Sequence, residues 1–136
     1  MPRNPRYMHR PTWEGGMGHE ASKGALEGVR ILDLATMAAG PWAASYLADW
    51  GADVIKVEHP VQGDHLRRWG KSKGDVPLFW KSISRNKRVM TIDLSHPEGR
   101  DVVLDLVRSC DAVVENFRPG VLERWRLGYE DLAARG

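Results

Sequence analysis

An amide, an aromatic ring and a guanidinium stand side by side in segment 116–120, which reads Asn-Phe-Arg-Pro-Gly. The segment follows a short apolar run, 112–115, that has the composition of a buried strand. In open α/β sheets ligands bind at the carboxyl ends of the strands, so these side chains would face a ligand there. An ordinary strand-to-helix turn would use the same residues, and the segment alone does not separate the two interpretations.

A second segment, 35–41, consists mainly of small residues and reads Ala-Thr-Met-Ala-Ala-Gly-Pro. It follows the apolar run 29–34 and precedes a helical pattern, so small side chains there would let a ligand approach the backbone at a helix N-terminus. The segment lacks the G-x-G-x-x-G pattern of dinucleotide-binding proteins. Close packing of a helix against a strand also needs small residues, and on this segment alone that explanation is favoured.

Cationic side chains concentrate in the stretch 67–88, although the whole chain carries a formal net charge of only +2. The aromatic residues Trp69, Phe79 and Trp80 are interleaved with them. A local positive field suits a phosphate-rich small molecule or a nucleic acid backbone, whereas a solvated loop with aromatic anchors is the simpler explanation. The stretch contains Arg67, Arg68, Lys71, Lys73, Lys81, Arg85, Lys87 and Arg88, against the single acid Asp75.

Several common catalytic and metal-binding patterns are absent from the sequence. There is no G-x-S-x-G nucleophile elbow, no P-loop and no H-E-x-x-H motif, and the five histidines do not fall at metal-ligand spacing. The single cysteine, Cys110, cannot form an internal disulfide, which favours a cytoplasmic location. Because Cys110 falls on the apolar face of a helical pattern, we expect a buried structural residue rather than a nucleophile.

The order of the periodic segments predicts an α/β fold. Short β-branched runs alternate with helical patterns, and a capping box of Ser95 and Glu98 marks the start of the clearest helix. Two strand-helix units in series indicate an open, Rossmann-like parallel sheet with flanking helices. The predicted order is strand 29–34, helix 41–50, strand 53–58, loop 61–84, strand 89–94, helix 95–110, strand 112–115, and helices 121–125 and 129–134.

Length and composition place these elements in one domain or part of one. The chain has 136 residues, of which 42% are hydrophobic and 28% charged, and these values exclude a disordered or membrane-embedded chain. No apolar run is long enough to span a membrane or to form a signal peptide. Residues 1–24, with their prolines and glycines, are predicted to be a flexible N-terminal tail, and 25–136 the folded part.

Several blocks of residues resemble a known family. Together they are similar to the N-terminal segment of the class III CoA-transferases, the CaiB/BaiF family, and they follow the family's order and spacing. They cover nearly all of residues 26–136. The blocks are 26–34, 39–41, 47–58, 85–88, 93–94 with 97–100, and 113–120, of which the last reads Val-Val-Glu-Asn-Phe-Arg-Pro-Gly.

The resemblance implies a fold, a substrate and a mechanism. It implies that 25–136 is the coenzyme A-binding, Rossmann-like N-terminal part of an interlocked homodimer, acting on acyl-CoA and a carboxylic acid acceptor. Coenzyme A would be a substrate rather than a permanently bound cofactor, and neither nucleic acid nor membrane is an expected partner. In the family, a catalytic aspartate attacks the thioester and forms first a mixed anhydride and then an aspartyl-CoA thioester, which is covalent catalysis by a carboxylate.

The resemblance also implies site residues in this chain. Two positions depart from the family pattern, because His59 stands where formyl-CoA transferases have a CoA-binding arginine and Ser95 where many members have a lysine. No residue of the chain matches the catalytic aspartate, and no metal site is implied. The residues expected to bind coenzyme A are Ala38, Ala39, His59, Asn116, Phe117, Arg118 and Arg124.

The chain corresponds to about the first third of the family's length. The resemblance therefore predicts a truncation before the catalytic aspartate, so that these 136 residues alone are inactive. Two alternatives remain open. An acyl-CoA racemase or epimerase of the same family would transfer protons at the α-carbon and use a His and Asp pair further along the chain. A non-catalytic binding module would use the cations of stretch 67–88 on nucleic acid.

Overall fold

A computed structural model describes residues 24–135, and their strands and helices alternate along the chain. The main sheet has four parallel strands in the order β5-β2-β1-β6, which confirms the predicted α/β parallel sheet with flanking helices. The predicted tail lies outside the described residues except for Gly24. The elements are β1 Arg30–Asp33, α1 Ala39–Asp49, β2 Asp53–Glu58, a 3-10 turn at His65–Arg68, β3 Ser72–Lys73, β4 Val76–Pro77, α2 Leu78–Ile83, β5 Lys87–Thr91, α3 Pro97–Val107, β6 Ala112–Val114, α4 Val121–Arg124 and α5 Tyr129–Ala133.

The two central strands of the sheet, β1 and β2, are buried on both faces because their apolar side chains alternate between two cores. Ile31 pairs in register with Val54, and both pack with Ala44 and Ala48 of α1. The next residue of β1, Leu32, belongs to the opposite core, which contains the buried side chains of α3 and α4. Strands that contact helices on both faces read as continuous apolar runs, which is the pattern that predicted them. The second core comprises Leu32, Leu34, Ile55, Val57, Ile92, Val103, Leu104, Val107, Leu122 and Leu127.

Helix α1 packs on the sheet through its small side chains. Its buried residues are Gly40, Pro41, Ala44, Ser45 and Ala48. The aromatic residues at helical spacing that helped to predict this helix lie on the other face, where Trp42, Tyr46 and Trp50 are 43%, 51% and 58% exposed. The small buried face lets the helix axis approach the sheet closely, and it leaves an aromatic stripe on the outside.

The stretch 61–84, predicted as a loop, contains the 3-10 turn, the β3–β4 ribbon and α2. Leu66 and Ile83 are buried and attach these short elements to the body of the protein. The ribbon turns through Gly74, which has a φ of 59° that favours glycine. Elements of two to six residues are too short for hydrophobic periodicity to reveal them, and this is why the sequence predicted only a loop.

The predicted capping box at the start of α3 is wrong. His96 is the N-cap, and its Nδ1 accepts a hydrogen bond of 3.4 Å from the backbone N–H of Glu98. Ser95 lies one residue too early to cap the helix, and its hydroxyl donates instead to Asp93 Oδ1 at 2.6 Å. Strand β5 ends at Thr91, so Asp93 belongs to the turn between strand and helix.

Cys110 lies just after α3 rather than within it. The side chain is half-buried against the second core, and its Sγ donates to the carbonyl of Leu106 at 3.3 Å. Burial raises the pKa of the thiol. A thiol with a raised pKa is a poor nucleophile, in agreement with the predicted structural role.

Candidate functional site

A cavity of about 200 Å³ lies at the carboxyl ends of the parallel strands. We call it the central cavity. Residues that follow β1, β2, β5 and β6 contribute its walls, as expected where neighbouring parallel strands end at the same edge of a sheet. Its lining includes Leu34, Thr36, His59, Asp93, Phe117 and Trp125.

Two aromatic rings form an apolar wall of the central cavity. The rings of Phe117 and Trp125 meet edge to face, with centroids 5.3 Å apart and planes at 78°. Phe117 is held in the turn after β6 by a 2.8 Å hydrogen bond from its backbone N–H to Glu115 Oε2. The two rings also pack against the second core, so this wall is part of the folded body of the protein.

His59 and Asp93 form the polar part of the central cavity. His59 Nδ1 accepts hydrogen bonds from the backbone N–H groups of Val61 at 3.2 Å and Gln62 at 3.1 Å, which assigns the ring proton to Nε2. Nε2 lies 3.8 Å from Asp93 Oδ2. Hydrogen bonds from the hydroxyl and the backbone N–H of Ser95 lower the pKa of Asp93. The cavity therefore presents an imidazole N–H donor beside an ionised carboxylate.

A second cavity, of about 340 Å³, shares Ser95 and Trp125 with the central cavity. We call it the arginine cavity because Arg100, Arg124 and Arg126 line it, together with His96. Arg100 pairs with Asp101, whereas Arg124 and Arg126 have no carboxylate partner among residues 24–135. Two guanidinium groups without acidic partners among the described residues give the arginine cavity a local positive charge.

Arg118 and Arg124, which the resemblance assigns to the same ligand, lie in different cavities. Arg118 lines a third cavity of about 310 Å³, the outer cavity, with Glu115, Glu123 and Tyr129. Phe117 lines both the outer and the central cavity. The structure thus brings His59 and Phe117 together, places Arg124 next to them through Ser95 and Trp125, and separates Arg118 from Arg124.

Ala38 and Ala39 are at the start of α1, and Asn116 contacts the loop that precedes them. Ala38 is the N-cap of α1 and Ala39 its first residue, and no side chain caps this end of the helix. Asn116 accepts a hydrogen bond of 2.9 Å from the backbone N–H of Thr36 and donates one of 2.8 Å to its carbonyl. Gly40 fits here because a Cβ would lie 2.3 Å from the Cβ of Ala35.

A buried ion cluster, not predicted from the sequence, lies beneath this loop. The Lys56 side chain is fully buried, with Nζ 3.1 Å from Asp64 Oδ2 and 3.9 Å from Asp33 Oδ1. Lys87 Nζ lies 2.9 Å from Asp33 Oδ2 and donates to the carbonyl of Pro41 at 2.6 Å. Burial lowers the pKa of Lys87, although the charge of Asp33 opposes the shift. The sequence signal that could have indicated this cluster is Lys56, a charged residue in the middle of the strand pattern 53–58.

Glu58, at the end of β2, is a second buried charge. Arg67 binds it with two nitrogens, at 2.6 and 3.1 Å, and the Trp80 indole N–H donates to it at 3.1 Å. The backbone N–H of Asp64 adds a bond of 3.0 Å. Burial alone would raise the pKa of Glu58, but these hydrogen bonds lower it overall. The guanidinium carbon of Arg67 also lies 3.7 Å from the ring centroid of Trp80.

Half of the cations that suggested a positive field in stretch 67–88 are therefore neutralised within the fold. Four of its eight cations are paired with carboxylates that come from β1, β2 or the end of α1. Proximity in the sequence made these cations look like one surface, whereas the fold distributes them among acids from other elements. The pairs are Arg67 with Glu58, Arg85 with Asp49, Lys87 with Asp33, and Arg88 with Asp53.

Comparisons with known proteins identify a family and several relatives. A family model described as CoA-transferase family III matches residues 26–136. The chain is 51% identical over 110 residues to the succinyl-CoA–L-malate CoA-transferase beta subunit of Chloroflexus aurantiacus. This match covers 79% of this chain and 27% of that protein. It is 44% identical over 108 residues to human succinyl-CoA:glutarate CoA-transferase, covering 79% of this chain and 25% of that protein. The chain thus spans well under half the length of these curated relatives.

A solved structure agrees with these relatives. A CaiB/BaiF family protein from Brucella suis superposes with a TM-score of 0.76 at 40% sequence identity, over 84% of this chain and 31% of that chain.

Within the described residues, no group of three histidine, cysteine or acidic side chains is arranged to hold a metal ion. No helix in the described part of the chain is long and apolar enough to cross a membrane.

Proposed function

Because the chain belongs to CoA-transferase family III, we propose that it binds coenzyme A along the cleft formed by the central and arginine cavities. The complete protein would transfer CoA between an acyl-CoA thioester and a carboxylic acid. The names of the relatives support this reaction type, since they include a succinyl-CoA–L-malate and a succinyl-CoA:glutarate CoA-transferase.

The observation that carries the proposal is that the two cavities adjoin, since Ser95 and Trp125 line both of them. Coenzyme A has a long pantetheine arm that ends in a thiol and a nucleotide end that carries phosphates. The central cavity offers an apolar wall and an N–H donor, which suit the arm. The arginine cavity offers guanidinium groups without acidic partners, and guanidinium binds phosphate through charge-assisted hydrogen bonds.

Each expected site residue receives a role within this proposal. Phe117 would pack against the pantetheine arm, and the Nε2–H of His59 would donate to one of its polar atoms. Arg124 would bind a phosphate, together with Arg126, which the resemblance did not indicate. The backbone at Ala38 and Ala39 would lie beside the thioester.

The remaining two expected site residues have less direct roles. Asn116 would shape the loop that precedes Ala38 and Ala39, since its amide is bound to the backbone of Thr36. Arg118 lines the outer cavity, outside the proposed cleft, so it would contact only a part of the ligand that extends into the outer cavity.

We propose that the carboxylate nucleophile lies outside residues 24–135, because no residue of the chain matches the catalytic aspartate of the family. Asp33 and Asp64 are buried in the ion cluster, and Glu58 is bound to Arg67, so none of the three is free to attack a thioester. A catalytic aspartate would attack the thioester carbonyl and release the CoA thiolate, leaving a mixed anhydride. The thiolate would then displace the donor acid to give an aspartyl-CoA thioester, from which the acceptor acid takes the CoA by the same two steps in reverse.

We also propose a homodimer in the cytosol. The support for the dimer is the exposed aromatic stripe of Trp42, Tyr46 and Trp50, which monomeric proteins seldom leave uncovered. The support for the compartment is the single cysteine, since secreted domains commonly use disulfides.

The reaction is tested by incubating the full-length polypeptide with succinyl-CoA and a panel of carboxylic acids that includes L-malate and glutarate. We expect mass spectrometry to detect a new CoA thioester and an equal amount of free succinate. Exchange of an α-proton of an acyl-CoA without any CoA transfer would overturn the proposal in favour of a racemase. Turnover by the 136-residue chain alone would contradict the assignment of the nucleophile.

A further inference from the structure

We propose that Asn116 is a positioning residue, whose side-chain amide holds the β1–α1 loop, residues 34–38, in the shape that receives coenzyme A. The ligand in this statement rests on the proposed function. The mechanical part, that Asn116 fixes the loop, rests on the hydrogen bonds of the described residues alone.

The amide of Asn116 extends the pairing of β1 with β6 beyond the end of the strands. The last backbone bond of that pair runs from Leu34 N–H to the Val114 carbonyl at 2.9 Å. Two residues further along each chain, Thr36 N–H donates to Asn116 Oδ1 at 2.9 Å and the Thr36 carbonyl accepts from Asn116 Nδ2 at 2.8 Å. In a parallel ladder the next N–H of β1 would find a backbone carbonyl at this step. The side-chain amide supplies both the acceptor and the donor instead.

Side chains from other elements hold the loop on both sides of Thr36. The N–H of Ala35 donates to Asp33 Oδ1 at 3.1 Å, and its carbonyl accepts from Lys56 Nζ. The N–H of Met37 donates to Asp64 Oδ1 at 3.3 Å. Met37 has a φ of 65°, a conformation that side-chain-bearing residues adopt at an energetic cost. A loop with this backbone needs fixed partners, and Asn116 provides the two that come from the β6 side.

The two bonds to Thr36 use half of the hydrogen-bonding capacity of the Asn116 amide. One N–H of its amide and one lone pair of its oxygen remain after the two bonds to Thr36. Thr36 lines the central cavity and Gly40 lies next to Asn116, since a Cβ on Gly40 would be 3.3 Å from Asn116 Cγ. Loss of the two hydrogen bonds between Asn116 and Thr36 would therefore disturb both the wall of the central cavity and the start of α1.

The test is hydrogen exchange at the Thr36 amide in Asn116→Leu, measured on the full-length polypeptide without any ligand. Leucine has a similar size but offers no hydrogen bond, and Asn116 lies at an exposed position, so we expect the fold to survive. We expect exchange at Thr36 to accelerate about tenfold, in line with a lost hydrogen bond, while the amide of Val57 in β2 keeps its wild-type rate. The dissociation constant of coenzyme A should rise by a similar factor.

Two further variants separate positioning from direct contact. Asn116→Asp keeps an acceptor for the Thr36 N–H but cannot donate to its carbonyl, so protection at Thr36 should fall between wild type and Asn116→Leu. Thr36→Val removes a hydroxyl and leaves both backbone bonds intact, so its amide should remain protected after correction for the intrinsic exchange rate.

Wild-type exchange at Thr36 in Asn116→Leu, combined with weaker binding of coenzyme A, would overturn the proposal and make Asn116 a ligand contact. Faster exchange at Val57 as well as Thr36 would indicate general unfolding, and the Asn116→Asp variant then decides. If the wild-type protein does not bind coenzyme A, the proposed function fails, while the exchange rate at Thr36 still decides whether Asn116 fixes the loop.

Discussion

Glu58 illustrates how single residues stabilise the edge of the sheet where the cleft lies. Its carboxylate accepts hydrogen bonds from Arg67, Trp80 and the backbone of Asp64, and the side chain is almost fully buried. A buried charge is tolerated only when it is paired and hydrogen-bonded. The Arg67 contact joins the end of β2 to the 3-10 turn, so one carboxylate anchors part of the stretch 61–84.

Substitution Glu58→Gln should lower the free energy of unfolding by about 2 kcal/mol near neutral pH, because hydrogen bonds to a charged group are replaced by weaker ones. The folded-state pKa of Glu58 lies below its ordinary value of 4.5, so its stabilisation is present above that value and is lost as the pH falls through the folded pKa. Urea denaturation at several pH values from about 7 to about 3 measures the free energy of unfolding of the wild type and of Glu58→Gln. The difference in free energy between the two proteins should shrink toward the acid end. A difference that does not change with pH would contradict the assigned charge of Glu58.

The expected roles of Phe117, Arg124 and His59 in binding coenzyme A stay predictions. The sequence indicated Phe117 and Arg124 through matches to the family pattern, and His59 because it stands where formyl-CoA transferases have a CoA-binding arginine. The pairing of Arg67 with Glu58 and of Lys87 with Asp33 was not predictable, since partners 9 and 54 residues apart meet only in the folded chain. The hydrogen bonds between Asn116 and Thr36 were not predictable for the same reason, since the two residues are 80 positions apart.

At the scale of elements, close approach of helices to the sheet determines which residues fit. Helix α3 begins beside the turn that follows β5, and Gly99 is the contact point. A Cβ on Gly99 would lie 2.0 Å from the carbonyl oxygen of Asp93, which is far inside van der Waals contact. Because Asp93 and Ser95 line the central cavity, this helix contact also positions the site.

Substitution Gly99→Ala should destabilise the protein by about 1–3 kcal/mol, as overpacking does in a rigid setting. In an exposed helix the same change would stabilise by about 1 kcal/mol, so the sign of the effect is diagnostic. Chemical denaturation measures it, with Asp105→Ala at an exposed position of the same helix as the control. A more stable Gly99→Ala variant would show that the turn at Asp93 yields easily.

The sequence predicted the strands and helices of the main sheet within a few residues, because strands with two buried faces and α3 with its apolar face carry clear periodic patterns. It failed in stretch 61–84, where the turn, ribbon and helix are too short to repeat any period. It also placed the start of α3 one residue early, since Ser95 and His96 can both cap a helix and only the fold decides between them.

For the whole molecule, the exposed aromatic stripe of α1 is the main feature not explained within residues 24–135. Tyr46, at its centre, is 51% exposed. If the proposed dimer covers the stripe, Tyr46→Arg should shift the protein toward monomer in analytical ultracentrifugation. Asp105→Arg on the exposed part of α3 is the control and should sediment like wild type. An unchanged association state in Tyr46→Arg would remove the stripe from the interface.

The distribution of charge over the whole molecule determines where an anionic ligand can bind. Acids from other elements neutralise half of the cations in stretch 67–88, while Arg124 and Arg126 have no acidic partners within the described chain. The phosphate end of a ligand is expected at the arginine cavity because that cavity adjoins the central cavity at Ser95 and Trp125, whereas the unpaired cations of stretch 67–88 line neither cavity. Lys73, an exposed cation of that stretch, provides a matched control for Arg124.

The most direct test of the account is calorimetric titration of the protein with coenzyme A and with pantetheine, which lacks the phosphates. Arg124→Gln should weaken coenzyme A binding about tenfold or more, through loss of a charge-assisted hydrogen bond, and leave pantetheine binding unchanged. Lys73→Gln should bind both ligands like wild type. Equal coenzyme A affinity in Arg124→Gln and wild type, or tight binding of an oligonucleotide without any binding of coenzyme A, would contradict the account.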